Sequence, residues 1–190
     1  MRGPLLSGPL GSAASLEAVS RRMDNAAIAV VIGPLWLAEV LSTRVRVLLL
    51  TEPEERVRAV RVAKRARAAG QRLTVVIAGV DLPLGAGCVD ALLIESASTL
   101  DPEALTRWMT TLVPLVRPGG CLVALDGTDD AAAEARLAGL FLGAALCEIV
   151  QERPRAGVVL TVGIAPSAPV TAARFGPAGA IAGSAAIDRG

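Results

Sequence analysis

Apolar and polar positions along this chain fall into blocks whose periods alternate between strand-like and helix-like. Residues 26–32, AAIAVVI, form an uncharged run rich in Val and Ile, which predicts a strand buried on both faces. The run breaks at Gly33-Pro34 and resumes at once as LWLAEVL, a short apolar helix. Arg44 to Thr51 reads as a second strand, with Arg44 and Arg46 at its exposed mouth and Val47 to Leu50 in the core. Pro53 to Gly70 predicts a helix: Pro53 suits the first position, Glu54 and Glu55 the positive N-terminus, and Gly70 the stop. Its expected apolar stripe is Val57, Val60 and Ala63/Lys64. Leu73 to Ala78 is a third strand, followed by the irregular VDLPLGAG, and Val89 to Glu95 is a fourth.

Asp101-Pro102-Glu103 is a helix start, and Leu105, Trp108, Met109, Leu112 and Leu115/Val116 keep helical spacing up to Arg117-Pro118-Gly119-Gly120. Cys121 to Leu125 is a fifth strand. Thr128-Asp129 can cap the next helix, whose apolar face is Leu137, Leu140, Phe141 and Ala144; Gly139 and Gly143 on it are expected to allow close packing on a sheet. Cys147 to Glu152 and Val158 to Ile164 flank residues 153–157 as an antiparallel hairpin with a short loop. Ahead of the first strand, Ser15 to Met23 predicts a short helix with Ser15 as N-cap. Residues 1–14 and 167–190 are rich in Gly, Pro, Ser and Ala without sustained period and are expected to be disordered tails around a domain at 15–166. The implied fold class is α/β: a doubly wound, mainly parallel seven-stranded sheet with a C-terminal antiparallel hairpin.

Composition narrows the chemistry. The 190 residues carry a net charge of +1, so no global field argues for nucleic acid or an anionic membrane. His and Tyr are both absent, which excludes histidine-based triads and the commonest general base and metal ligand. Cys88, Cys121 and Cys147 are too far apart for a CxxC motif, and the expectation is buried thiols in a reducing cytoplasm. No apolar run reaches the roughly 20 residues of a membrane span. Residues 1–14 lack the apolar stretch of a secretory signal; Arg2, with no acid before Glu17, leaves an organelle transit segment open. Arg56, Arg58, Arg61, Lys64, Arg65 and Arg67 crowd one helix, which could contact an acidic partner or phosphates; the lack of interleaved aromatics and the near-neutral net charge favour a solvated outer helix instead.

Three local patterns resemble the class I S-adenosylmethionine-dependent methyltransferases. Leu115-Val116-Arg117-Pro118-Gly119-Gly120-Cys121-Leu122-Val123 looks like that family's helix-to-strand signature. Leu82-Pro83-Leu84 with Val89-Asp90-Ala91-Leu92 is similar to its segment before the fourth strand, and Glu52-Pro53-Glu54-Glu55 to its acid after the second. The resemblance covers about Ala26 to Pro166. It implies S-adenosylmethionine as cofactor, with Glu52 accepting from the ribose hydroxyls, at about 1.5–3 kcal/mol for hydrogen bonds to a charged acceptor. The other reading of Glu52 is a helix N-terminal acid. Asp81 matches the acid near the adenine with poor spacing, against an ordinary loop aspartate. Gly33 alone stands where the family has a glycine-rich turn, and Pro34, Leu35, Trp36 and Leu37 follow it. Glu95 and Asp126, at the expected ends of strands four and five, are the candidate substrate-facing groups, against plain strand termini. Two functions follow as expectations: a methyltransferase-like domain weakened or lost in cofactor binding that serves as a partner or scaffold subunit, or an active small-molecule methyltransferase. A third, less favoured, is a small-molecule sensor using the same crevice.

Overall fold

The computed structural model describes residues 12–33, 35–51, 53–77, 84–99 and 101–167. The chain runs α1 (Ala13–Arg22), β1 (Ile28–Ile32), α2 (Leu35–Leu41), β2 (Arg46–Thr51), α3 (Arg56–Ala68) and β3 (Leu73–Ile77). It continues through β4 (Val89–Glu95), α4 (Pro102–Leu112), β5 (Val116–Asp126), α5 (Ala131–Gly143), β6 (Cys147–Arg155) and β7 (Val158–Ile164). The seven strands form one sheet in the order β3-β2-β1-β4-β5-β7-β6. Neighbours from β3 to β5 are parallel, and β7 is antiparallel to both β5 and β6. This is the doubly wound sheet with a terminal hairpin that the alternating periods imply.

Each face of the sheet carries its own core. On one, Val47, Leu49, Val31 and Leu93 pack with Val19, Leu37, Ala38, Ala59 and Val62 of α1, α2 and α3. On the other, Val30, Leu92, Ile94 and Leu122 pack with Leu105, Met109, Leu137 and Phe141 of α4 and α5. The strict alternation of side chains along a strand divides them in this way.

Several local expectations need correction. The α1 N-cap is Ser12, whose Oγ accepts from the Ser15 N–H at 3.1 Å, and Ser15 is buried. The helix therefore begins at Ala13, two residues before Ser15, because the capping hydroxyl lies three residues earlier. On α3 the buried positions are Ala59, Val62 and Ala66, while Val57 is 64% exposed. The helix turns Ala59, Val62 and Ala66 to the sheet and leaves Val57 and Val60 on its outer side. Gly139 and Gly143 have nothing within 4 Å of a built Cβ and face outward, so they mediate no packing. Close packing at this interface belongs to Gly163, where an added Cβ would lie 2.9 Å from Phe141 Cδ2. Of the three thiols only Cys121 is buried; Cys88 and Cys147 are exposed. Asp130, not Thr128 or Asp129, caps α5, and Thr128 Oγ1 accepts from the Asp130 N–H.

The hairpin turn is two residues, Ala156-Gly157, with Gly157 at φ +72, so β6 extends through Arg153 to Arg155. The Arg-Pro-Gly-Gly motif lies inside β5 rather than between elements. Val89 pairs with Val116 and Ala91 with Cys121, so residues 117–120 bulge out of the ladder. Asp90 holds the bulge: its carboxylate meets Arg117 Nε at 2.5 Å and accepts from the N–H groups of Ala27 and Ile28, both at 2.7 Å. Gly120 touches Asp90 closely, and a Cβ there would lie 2.6 Å from the Asp90 carbonyl oxygen.

Candidate functional site

From β1 the chain winds outward to β2 and β3, then crosses back to β4 on the other side of β1. Ligands of open α/β sheets bind beyond the carboxyl ends of the strands where the order reverses. The carboxyl ends of β1 and β4 flank that point, and they present Gly33 and Glu95.

Gly33 is exposed and holds φ +141, a conformation that L side chains rarely adopt. A Cβ on it would lie 3.0 Å from Glu95 Cβ and 3.6 Å from Glu95 Oε2. The Glu95 side chain thus leans over the end of β1. Its direction follows from strand parity: Ala91 and Leu93 face the α1–α3 core, and Glu95 continues that face. Partial burial, and secondarily the charge of Asp126, raise the Glu95 pKa to about 7. A carboxyl there changes charge near neutrality.

The connection between β1 and α2 is positions 33 and 34 alone. Proline at 34 has no N–H to offer. Leu35 and Trp36 are half-buried and pack on the α1–α3 core, next to the fully buried Leu37 and Ala38. The indole is therefore engaged with the protein interior. Of the other residues expected at the cofactor, Glu52 and Asp81 lie outside the described residues.

Asp126 ends β5 and is fully buried on the α4–α5 face, with the parity of Leu122 and Ala124. Its Oδ1 accepts from the Ser98 N–H at 2.6 Å, while Oδ2 has no hydrogen-bond partner among the described residues. Burial raises its pKa, opposed by the Ser98 hydrogen bonds and by Arg136. Arg136 itself donates to the Ser98 carbonyl at 3.2 Å. Ser96 adopts φ +56, its N–H donates to the Leu125 carbonyl at 2.8 Å, and its carbonyl accepts from Thr99. Asp126 thus clamps the turn that follows β4. The two candidate carboxyls are on neighbouring strands but on opposite faces, and they do not converge as an acid/base pair. Ser98 and Arg136 carry no signature in the sequence, because only the crossing of α5 over the β4 turn brings them to Asp126. Among the described residues no group of three or more Cys, Asp or Glu could hold a metal ion. None of the described helices is long and apolar enough to cross a membrane.

No family model matches the chain, and no curated protein sequence does. Solved structures do match. An O-methyltransferase family protein from Burkholderia thailandensis superposes with TM-score 0.65 at 18% identity, over 80% of this chain and 55% of its own. The 1,6-didemethyltoxoflavin-N1-methyltransferase of the same species, solved with its substrate and S-adenosylhomocysteine, gives 0.59 at 19% identity over 86% and 80%. The cyclase SpnF gives 0.64 at 13% identity over 80% of each chain. The chain spans about half the length of the first of these. At such identities the likeness is one of fold: this is the seven-stranded fold of the class I S-adenosylmethionine-dependent methyltransferases. A cyclase on the same scaffold illustrates that the fold does not fix the reaction.

Proposed function

From a chain with the class I methyltransferase fold, we infer a methyltransferase-like domain whose S-adenosylmethionine binding is weakened or lost and which acts as a partner or scaffold subunit. The observation that carries this reading is the two-residue connection after β1, with the Glu95 side chain leaning over it. A cofactor cradled by backbone needs several N–H groups and room for close approach. Gly33 supplies one N–H and Pro34 none. Losing two or three backbone hydrogen bonds at about 1 kcal/mol each weakens a micromolar ligand thirty- to hundredfold or more. Trp36 contributes nothing to closure, because it packs on the core. The weight therefore rests on positions 33, 34 and 95, and the described residues there fit the cofactor poorly.

Calorimetric titration with S-adenosylmethionine and S-adenosylhomocysteine tests this. The expected result is no saturable binding at micromolar ligand, with any residual heat fitting a dissociation constant of about 100 μM or weaker. Saturable micromolar binding abolished by Glu52→Ala would overturn it.

A second reading, an active small-molecule methyltransferase using S-adenosylmethionine, is favoured by one observation: Glu95, at the carboxyl end of β4, has a pKa of about 7. A general base is most effective when its pKa lies near the working pH. On this reading methyl transfer rises with pH around neutrality, and Glu95→Gln removes that dependence.

A further inference from the structure

Residues 44–72 contain nine of the nineteen Lys and Arg residues but only three of the eighteen acids. With a net charge of +1 overall, the remainder of the chain is net negative. The fold gathers these cations. Helix α3 returns from the carboxyl end of β2 to the start of β3, so its last turn, with Arg65 and Arg67, lies toward the amino ends of the strands. The exposed Arg44, Arg46 and Arg72 stand at that same edge, and the Arg72 carbonyl accepts from Val47 beside Arg46. Arg65 pairs with Glu39 and Arg58 with Glu55, both exposed contacts. Among the described residues, Arg44, Arg46, Arg56, Arg61, Lys64, Arg67 and Arg72 form no ion pair.

The outer face of α3 is not charged throughout. With Ala59, Val62 and Ala66 turned to the sheet, the opposite side presents Val57, Val60, Arg61 and Lys64 at i, i+3, i+4 and i+7. Val57 is 64% and Val60 37% exposed. A helix that only meets water gains nothing from these residues, since β-branched side chains lower helix propensity and here bury little. Arg56 and Arg67 flank the ridge on one side, Arg58 and Arg65 on the other. Two exposed valines set among cations on one helix face suit a second helix that offers apolar side chains between acidic ones.

We propose that the outer face of α3, with the adjoining amino-terminal edge of β2 and β3, docks an acidic amphipathic helix of a partner protein. Charge complementarity steers the encounter, and the valine seam sets the register. Nucleic acid fits less well: residues 44–72 contain no aromatic side chain on which a base could stack, and phosphates gain nothing from a valine ridge. The ridge lies on the side of α3 turned away from the sheet, so the inference does not depend on whether the crevice binds a cofactor.

Fluorescence anisotropy on the full chain tests it, using a labelled synthetic helix of Leu/Glu heptads about 20 residues long. The comparison probes are a scrambled peptide of the same composition and a duplex DNA oligonucleotide. The Leu/Glu helix is expected to bind, and both comparison probes to bind at least about tenfold more weakly. Val57→Ala with Val60→Ala, which keeps helix propensity, and Arg61→Glu with Lys64→Glu, which keeps the valines, are each expected to weaken binding about tenfold, with circular dichroism confirming the fold. Absence of binding, equal binding of the scrambled peptide, tighter binding of DNA, or indifference to the valine substitutions would each overturn the proposal.

Discussion

Gly33 and Glu95 meet at the end of two neighbouring strands, and each constrains the other. Replacing Gly33 by Ala meets both an unfavourable φ of +141 and a Glu95 Cβ at 3.0 Å. The expected loss is about 1–3 kcal/mol in urea unfolding. Adding Glu95→Ala does not relieve it, because that change keeps Cβ; Glu95→Gly recovers the steric part and leaves the backbone part. The Glu95 carboxyl makes a second prediction through pH. Its pKa is raised from 4.5 to about 7 in the folded chain, so the folded state holds its proton more tightly than the unfolded state. Stability therefore falls as pH rises through that window and is lowest above it. Asp126, also raised, adds to the fall in the same direction. Glu95→Gln is expected to exceed the wild type by about 1–3 kcal/mol near pH 8 and to match it near pH 4, which denaturation at the two pH values measures. From sequence, Glu95 is recognisable as a polar residue closing an apolar strand, and Gly33 as a break. Their contact is not legible there, because it depends on β4 pairing with β1 rather than with β3, its predecessor in the chain.

The elements follow their apolar periods closely where a face is unambiguous. Leu105, Met109 and Leu112 are buried on α4 as spaced, and β4 runs from Val89 to Glu95 as read. Ambiguity enters where small residues compete with larger ones. On α3 the Val57/Val60 stripe and the Ala59/Val62/Ala66 stripe have the same period, and the packed helix buries the second. Glycine has the same difficulty: Gly139 and Gly120 are both plain glycines in the sequence and differ entirely in surroundings. Gly139 is exposed within α5 with open space around it, so Gly139→Ala is expected to stabilise by about 0.5–1 kcal/mol. Gly120→Ala drives a Cβ to 2.6 Å from the Asp90 carbonyl oxygen and is expected to cost about 2–4 kcal/mol. Thermal denaturation of the two variants distinguishes them by the sign of the change. The same contact shows what the Arg-Pro-Gly-Gly segment does in this sheet: the bulge locks β5 to β4 through Arg117 and Asp90.

At the scale of the molecule, one sheet is shared by two apolar cores, and each core holds one tryptophan. Trp36 packs on the α1–α3 side and Trp108 on the α4–α5 side. Because every strand between them contributes residues to one or both faces, the cores are expected to unfold together. Single-tryptophan variants, Trp36→Phe and Trp108→Phe, are therefore expected to show coincident urea midpoints when each is compared with its own circular-dichroism transition. A fluorescence transition displaced from the circular-dichroism one would mean that one face opens alone.

The order of strands and helices, the buried character of the central strands and the antiparallel hairpin follow from periodicity alone. Burying apolar surface on two faces of a sheet leaves few arrangements of such a chain. Tertiary structure decided what periodicity cannot carry: which face α3 turns inward, which glycines touch a neighbour, and that Asp126 holds a turn while Glu95 leans over Gly33. Those outcomes depend on distances between segments far apart in the chain, and such distances exist only once the sheet has formed. The sharpest case is the turn after β1. Its residues and its shortness are plain in the sequence, but the Glu95 side chain above it emerges only when β1 and β4 are paired.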